Sequence, residues 1–494
     1  MGQLRFRVPQ IDQYDRRVWE TAYITGFEGI PWACETQIAD DQFIISRAID
    51  ESGKVHIVWP SKSLGNILLT TTSLRLTDEP YHLALELARG TISRLRNQTF
   101  EWQRIGLKLS SDFLALAEGA LASFLDAVTC RDDDLVRSQF AQAAIDQAAE
   151  ATADLSAMFS AQAIESRLQQ EGRFSTLMGI ALAPESSVSK LGESLKSCFN
   201  LLSVDLDMAA VESVTGKRNY QHFDQQIDWA GEHGFRVCGG PLVNFRKGSL
   251  PKWVSLIDQS FESVLNATCQ HIRETVDRYR GRVHVWNVAT ALNVPGELYW
   301  SDEQTLRFAV SIIEAVRHSD QRSPVLLTID QPWSEYLRDH DEGISPLHFA
   351  DALIRADLGL SGLALEINLN VWPDGSLPRD PLEIGMLVDR WAQLGLPLMI
   401  IVCCPTQSSV DPLALHKRQP VTTWRSPHAI GSEPFIADQL IRLMLAKQSV
   451  HAIIWNQTTD QSLHQFPHAG FFDLQGNAKL LASQLAKIRQ QILF

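Results

Sequence analysis

Hydrophobic and polar positions follow three different rhythms along the chain. Up to residue 78, short runs rich in β-branched and aromatic residues, such as KVHIVWPS, are separated by polar turns, a pattern typical of antiparallel strands. From residue 79 to 172, apolar residues recur every three or four positions, as in YHLALELARGTISRL, which indicates amphipathic helices. These two stretches therefore predict a small antiparallel β domain (1–78) and a helical connector (79–172).

The third rhythm, from residue 173 to 494, is a regular alternation of apolar runs and helix-like segments. The runs are continuous, as expected of parallel strands that are covered on both faces. Eight units of strand and helix predict an α/β fold of the (β/α)8 TIM barrel type. The eight runs are STLMGIALA, FNLLSVDL, FRVCGGPLV, RVHVWNVA, PVLLTID, GLALEINLNV, LPLMIIVCC and VHAIIWN.

Composition narrows the classes of partner. The 494 residues carry a formal net charge of -14, with acidic and basic side chains interspersed, whereas nucleic acids and anionic membranes are bound through clustered positive charge. We therefore expect neither partner and favour a neutral ligand. The seven cysteines are odd in number and lack metal-ligand spacing, so we expect reduced core residues, no metal and no cofactor.

The start of the chain, MGQLRFRVPQ, has no apolar signal region, and no long uncharged apolar run follows it. A transmembrane helix needs about 18 or more such residues. The expected location is therefore the cytoplasm.

The stretch VHVWNVATALNV, residues 283–294, is similar to the fourth barrel strand of the xylanases of glycoside hydrolase family 10, which reads W-D-V-V-N-E-A. Trp286 and Val288 match that pattern. Further motifs resemble those of the other family strands and occur in the same order along the chain. They cover the predicted barrel (173–494) and do not extend into the residues before it. The resemblance implies a TIM barrel and an ancestral endo-hydrolysis of β-1,4-xylan with retention. The further motifs are FNLLSVDLDM, GGPLVNF, LLTID, GLALEINL and VHAIIWNQTTD.

The two catalytic glutamates that the family resemblance implies are missing from this sequence. Ala291 stands at the position of the general acid/base, and the position of the nucleophile falls at about Val402. A retaining glycosidase needs two carboxyl groups about 5–5.5 Å apart. We therefore expect a divergent member of the family that lacks the usual carboxylate pair.

Other carboxylates follow the predicted barrel strands, where this fold builds its catalytic sites. Glu366 and Asp207 are candidates for a relocated acid/nucleophile pair, with burial raising the pKa of Glu366 toward that of a general acid. The alternative is that Glu366 forms an ion pair or a hydrogen bond with a neighbouring strand end. Asp205 and Asp207 also form a D-x-D motif, but the absence of a third ligand nearby argues against a metal.

Polar and aromatic residues near the strand ends are candidates for sugar binding. Trp455 is either a stacking surface for a sugar ring or a core residue. The adjacent Cys403 and Cys404 are either core residues or a reactive pair. The predicted substrate-binding residues are Asp205, Asn244, Asn287, Asp330, Asn368, Trp455 and Asp460.

A long polar segment with three prolines, residues 406–433, follows the seventh strand. We expect it to be a loop that covers the cleft and brings Trp424, His416 and Arg425 over a ligand.

Two functions from different classes stay open. In the first, the protein is a glycosidase that acts on another β-linked glycan through Glu366 and an aspartate of the second strand. In the second, it is a non-catalytic sugar-binding or scaffold pseudoenzyme. An oligosaccharide or polysaccharide is the expected partner in both, and the helical connector is a candidate surface for a homo-oligomer. Two carboxyl groups facing one open cleft would favour the enzyme.

Overall fold

The computed structural model describes residues 2–130, 132–184, 186, 188–214, 216–255, 260–340, 343–418 and 429–494. Within these ranges, no helix combines the length and the apolar character needed to cross a membrane.

Eight short strands form two small sheets in the N-terminal part of the chain. They are β1 (Gly2–Arg7), β2 (Tyr23–Thr25), β3 (Pro31–Trp32), β4 (Cys34–Ala39), β5 (Gln42–Arg47), β6 (Lys54–Ser61), β7 (Gly65–Thr70) and β8 (Tyr81–His82). One sheet has the order β4-β5-β1-β8 and the other the order β3-β2-β6-β7. A short helix, α1 (Arg16–Glu20), lies between β1 and β2. The predicted antiparallel sheets are therefore confirmed, with one parallel pair, β1 and β8, added to them.

Residue patterns explain the first of these sheets. In β1, Leu4 and Phe6 are buried while their neighbours are exposed, so one face packs on the core. The run that contains β4 and β5 turns at Asp40, whose φ is 55°, a left-handed conformation that aspartate tolerates. Because β8 pairs with β1 at residues 81–82, this sheet extends past the predicted limit at residue 78.

Three long helices follow the two sheets. They are α2 (Leu83–Arg104), α3 (Ser111–Thr129) and α4 (Asp134–Glu171). The Ser110 hydroxyl accepts a hydrogen bond from the amide of Phe113 at 3.2 Å, and the Asp133 carboxylate accepts from two amides of the first turn of α4. These are the N-terminal caps that helices require for their free amide groups.

Small side chains allow α4 to pack closely against its neighbours. Ala141, Ala144 and Ala148 are fully buried along it. On the outer side, Leu114 and Leu125 of α3 are exposed to solvent. The homo-oligomer through this helical segment stays a prediction.

Eight parallel strands form a closed barrel in the C-terminal part, in the order of the chain, with the last strand pairing with the first. In chain order they are β9 (Leu177–Leu182), β10 (Leu201–Val204), β11 (Arg236–Gly239), β13 (Val285–Asn287), β15 (Val325–Asp330), β16 (Gly362–Asn368), β17 (Leu398–Cys403) and β18 (Val450–Trp455). Two short extensions, β12 (Val243–Asn244) and β14 (Ala289–Thr290), pair with each other beyond the ends of β11 and β13. The predicted TIM barrel and its eight strands are confirmed.

Helices surround the barrel strands. They are α5 (Val188–Cys198), α6 (Met208–Val211), α7 (Gln221–Glu232), α8 (Phe261–Tyr279), α9 (Asp302–Ser319), α10 (Pro346–Arg355), α11 (Pro381–Ala392), α12 (Arg442–Ala446) and α13 (Leu480–Ile492). Short 3-10 turns occur at Lys252–Ser255 and Glu335–Asp339, and one π-helical turn at Phe435–Ile441.

Side chains of the barrel strands alternate between two cores. Leu201, Leu326 and Ile454 fill the interior of the barrel, whereas their neighbours Leu202 and Leu327 belong to the larger core between strands and helices. The C-terminal ends of all eight strands therefore meet at one mouth, where the polar strand-end residues come together.

The glycine at position 90 permits the close approach of α2 to β7. A Cβ atom there would lie 1.8 Å from the carbonyl oxygen of Thr70, so the backbone has to shift to accept it. We expect Gly90→Ala to lower the free energy of unfolding by about 1–3 kcal/mol, measured by urea unfolding followed by circular dichroism. Gly231→Ala in α7 is the control, since nothing lies within 4 Å of a Cβ atom added there. For this control we expect the free energy of unfolding to rise by up to about 1 kcal/mol. Equal effects of the two changes would contradict the close contact.

Candidate functional site

The mouth of the barrel contains a cavity of about 240 Å³. Its base is formed by Ile401 and Ile454 from the barrel interior, and its walls by polar side chains from the strand ends. The polar lining consists of Ser203, Asp205, Asn244, Arg246, Asn287, Thr290, Thr328, Glu366, Asn456, Gln457, Thr458, Thr459, Ser462, His464 and Gln465.

Arg246 is the cation at the centre of this lining. It follows β12, and its backbone amide donates to the side-chain oxygen of Asn244 at 3.0 Å. One guanidinium nitrogen lies 3.0 Å from Asp330 and 2.5 Å from Glu366. The side chain is only 14% exposed, so a single largely buried cation neutralises acids from two adjacent strands, β15 and β16.

Glu366 is held by four donors at the end of β16. Besides Arg246, its carboxylate accepts hydrogen bonds from Thr290 at 2.8 Å, from Asn368 at 2.9 Å and from Asn456 at 2.6 Å. Burial raises the pKa of Glu366, but Arg246 and the hydrogen bonds outweigh burial, so the pKa lies below its usual range. The predicted rise in this pKa is therefore wrong, and Glu366 forms the ion pair that was the alternative.

Asp330 pairs with Arg246 from behind the cavity wall. Its two oxygens are occupied by Arg246 and by the amide of Gln331 at 2.8 Å, and it is not part of the cavity lining. Burial raises the pKa of Asp330 to about 7, although Arg246 opposes the rise. Asp330 and Glu366 contact the same nitrogen of Arg246, so their carboxylates lie close together. A cation, however, occupies the space between them.

The two aspartates of the second barrel strand have different environments. Asp207 caps α6 and accepts from the amides of Ala209 at 3.2 Å and Asn244 at 2.9 Å; it does not line the cavity. Asp205 does line it, and burial raises the pKa of Asp205 to about 6. Burial and the Asp205 carboxylate also raise the pKa of Asp207. Of the two, Asp205 is therefore the one that shares the cavity with Glu366, which corrects the proposed pairing of Glu366 with Asp207.

Of the other predicted binding residues, two line the cavity and three do not. Asn244 and Asn287 line the cavity, and Asn287 accepts from Thr328 at 2.9 Å. Asn368 is fully buried beside Glu366. Trp455 and Asp460 lie outside the lining.

Trp455 and Asp460 have structural partners. Trp455 is 2% exposed and its indole donates to the carbonyl of Ala469 at 2.9 Å. It is therefore a core residue and offers no stacking surface for a sugar ring. Asp460 accepts from the amide of Gly470 at 2.7 Å and pairs with Lys479 at 2.8 Å. Both residues therefore hold the closing loops of the barrel and do not face the cavity.

Ala291 and Val402, the positions at which the family resemblance implies the two catalytic glutamates, are both apolar. Ala291 is fully buried with φ of 59° and lines a separate cavity of about 290 Å³ with Trp300 and Tyr336. Val402 is fully buried in the core. The side chain of β17 that reaches the polar cluster is instead Cys403, whose thiol donates to Asn368 at 3.2 Å. Burial raises the pKa of the Cys403 thiol, so the thiol is protonated at neutral pH.

Several residues of the site were not predicted from the sequence. Asn456 comes directly after β18, and Arg246 lies two residues after the end of β12. This position at a strand end is the signal that could have found them. His416, predicted to lie over a ligand, is buried and contacts Asp374 at 2.7 Å, while Trp424 and Arg425 lie outside the described residues.

One cluster of metal-binding residue types lies beside the site, with atoms of Asp411, Asp460 and His464 within 4.8 Å of one another. Asp411 accepts from His464 at 3.0 Å and from the amide of His468 at 2.9 Å. Since Lys479 already pairs with Asp460, these groups satisfy one another without an ion.

Comparison with known proteins finds one matching family model and several solved structures of low sequence identity. The sequence model of glycosyl hydrolase family 10 matches residues 165–296, which confirms the predicted resemblance. A family 10 structure from Paenibacillus barcinonensis is 16% identical, covers 68% of this chain and 98% of its own, and has a TM-score of 0.50. Xylanase 10B from Thermotoga petrophila RKU-1, in complex with xylobiose, is 17% identical, covering 66% of this chain and 96% of its own, with a TM-score of 0.49. Xylanase 10B from Thermotoga maritima is 16% identical, covering 67% and 97%, with a TM-score of 0.49.

Removing the central cation should destabilise the folded state. Arg246→Gln leaves Glu366 buried without its counter-charge, so we expect the free energy of unfolding at pH 7 to fall by about 3–5 kcal/mol. The control is Arg355→Gln, which breaks an exposed ion pair with Asp351 on α10 and should cost less than about 0.5 kcal/mol. Denaturant unfolding measures both; similar small effects would mean that the buried pair does not form.

The raised pKa of Asp205 makes stability depend on pH. Its folded-state value of about 6 exceeds the unfolded value of about 3.9, so its stabilising effect is complete below pH 4 and is lost as the pH rises through 6. The side chain in Asp205→Asn is uncharged at every pH in this range. We expect this variant to match the native protein near pH 4 and to exceed its unfolding free energy by about 2–3 kcal/mol at pH 7.5. A constant difference across this range would contradict the shift.

Proposed function

We propose that this protein is a divergent relative of glycosyl hydrolase family 10 whose barrel mouth binds a sugar without hydrolysing it. The observation that carries the proposal is the ion pair between Arg246 and Glu366, at 2.5 Å. This pair engages Glu366, one of the two acids that line the cavity. The proposal places the protein in the second of the two function classes, as a binding barrel.

Hydrolysis with retention needs one carboxyl group that donates a proton and one free carboxylate that attacks the sugar. Glu366 is ionised and both of its oxygens already accept hydrogen bonds, so it does neither. Asp330 points to Arg246 from outside the cavity lining. Ala291, at the position of the family's acid, has no proton to give.

The cavity lining favours a small neutral ligand with many hydroxyl groups. Amides and hydroxyls dominate it, and such groups both donate and accept, as sugar hydroxyls do. The charge of Glu366 is compensated by Arg246. Ligand pockets usually measure about 300–1,000 Å³, and at about 240 Å³ this one suits a single sugar unit better than a polymer.

A second candidate, hydrolysis by a relocated pair, is favoured by one observation. Asp205 and Glu366 line the same cavity, and the pKa of Asp205, raised to about 6, suits a general acid. Glu366 would then be the nucleophile. This reaction requires Arg246 to leave the Glu366 carboxylate when the substrate enters.

Two broader expectations accompany the proposal. The cytoplasmic location is tested by cell fractionation, and the homo-oligomer by analytical ultracentrifugation of the full chain.

Sugar binding and sugar release separate the two candidates. We expect the native protein to release no reducing sugar from xylan, other β-glucans or xylobiose, and to be stabilised against heat by xylobiose through preferential binding to the folded state. Asp205→Ala should weaken this binding at least tenfold. Asp228→Ala, which changes an exposed aspartate of α7, should leave it unchanged.

Turnover by the native protein that disappears in Glu366→Gln would contradict the binding proposal and establish the relocated pair. No stabilisation by any sugar of the panel would contradict both candidates.

A further inference from the structure

A second and larger cavity lies between the N-terminal sheets and the outside of the barrel. Its volume is about 590 Å³, and it is bounded by β2, β6 and β7, by α2 and by the barrel helix α11. It shares no residue with the lining of the barrel mouth. We refer to it as the interdomain cleft.

The floor of the interdomain cleft is polar but uncharged. The two ring nitrogens of His56 bond to the hydroxyls of Thr25 at 2.8 Å and Thr70 at 3.0 Å. Its ring stacks on Tyr23 with 4.5 Å between the ring centroids. Burial lowers the pKa of His56 to about 3, so the imidazole is neutral at physiological pH.

One wall is a single face of α2. Residues 90, 93, 94, 97, 98 and 101 line the cleft, and this spacing places them on one side of a helix. The Arg94 guanidinium contacts Asp380 and lies 2.8 Å from Glu383 at the start of α11. This buried pairing fixes the distance between the two walls.

Three polar side chains on the α2 wall are free to bind a ligand. The side chains of Ser93, Asn97 and Gln98 make no hydrogen bond to any other residue that the structure describes. Hydroxyl and amide groups both donate and accept hydrogen bonds. They are therefore suited to a ligand that carries hydroxyl groups.

The charges around the cleft cancel. Three cations and three anions line it, so the field inside favours no ionic ligand. Aromatic surface is also present: Trp333 lies in the wall, and Phe27 is fully exposed at the rim. Such rings pack against the apolar faces of sugar rings. The charged residues are Lys54, Arg94, Arg390, Glu28, Glu101 and Glu383.

We propose that the interdomain cleft is a second binding site, for a neutral polyhydroxylated ligand of the size of a short oligosaccharide. Its volume lies within the usual range of ligand pockets, about 300–1,000 Å³. Ser93, Asn97 and Gln98 bind the hydroxyl groups, and Trp333 and Phe27 contact the ring faces. The site uses no residue of the barrel mouth, so it stands whether or not the mouth binds sugar.

Titration calorimetry of the full chain with xylobiose, cellobiose and maltose tests the proposal, with glucose 6-phosphate as a charged comparator. Asn97→Trp fills the cleft from an exposed position, and Arg96→Trp places the same side chain on an exposed position of the same helix outside the lining. We expect at least one neutral disaccharide to bind the native protein. Asn97→Trp should weaken that binding at least tenfold, while Arg96→Trp changes it less than twofold.

Binding at the cleft should also persist in Asp205→Ala, which alters only the barrel mouth. The proposal is overturned if no disaccharide binds the native protein, or if Asn97→Trp and Arg96→Trp bind equally. It is also overturned if glucose 6-phosphate is the only probe whose binding Asn97→Trp removes. Thermal melting of both variants verifies that each is folded.

Discussion

The contact of the Arg246 guanidinium with two carboxylates is the constraint on which the barrel mouth depends. Buried acids of adjacent strands need a counter-charge, because an isolated buried charge is costly. Arg246 supplies it to Asp330 and Glu366, and Asn456 adds a hydrogen bond from the end of β18. One charge cluster thus ties several strand ends together. The same contacts that satisfy Glu366 support the proposal that the mouth binds a sugar without hydrolysing it.

The N-terminal part of the chain is joined to the barrel by buried charges as well. Arg379 is fully buried; it lies 2.6 Å from Glu335 and 2.9 Å from the hydroxyl of Tyr23, and its guanidinium lies 4.1 Å from the Trp333 ring centroid. With Arg94 on α2, this contact holds the β sheets and the long helices against the outside of the barrel. The interdomain cleft results from this docking. A barrel without the N-terminal part would have no such cleft.

Much of the fold follows from the sequence, because continuous apolar runs and their spacing are local signals. All eight barrel strands were predicted in this way. The site was predicted in part: Glu366 and Asp205 do share one cavity. Asp207 was chosen wrongly, since a shift of two residues at a strand end moves a side chain from the cavity to a helix cap. Arg246 and the cleft depend on long-range packing, which no short pattern encodes.

The most direct test of this account is a crystal structure of the protein soaked with xylobiose. The account predicts a sugar unit in the mouth cavity, contacting Asp205, Asn244 or Asn287, with the Arg246 and Glu366 ion pair intact. An Arg246 side chain displaced from Glu366, with the carboxylate facing the anomeric carbon or with the disaccharide cleaved, would contradict it.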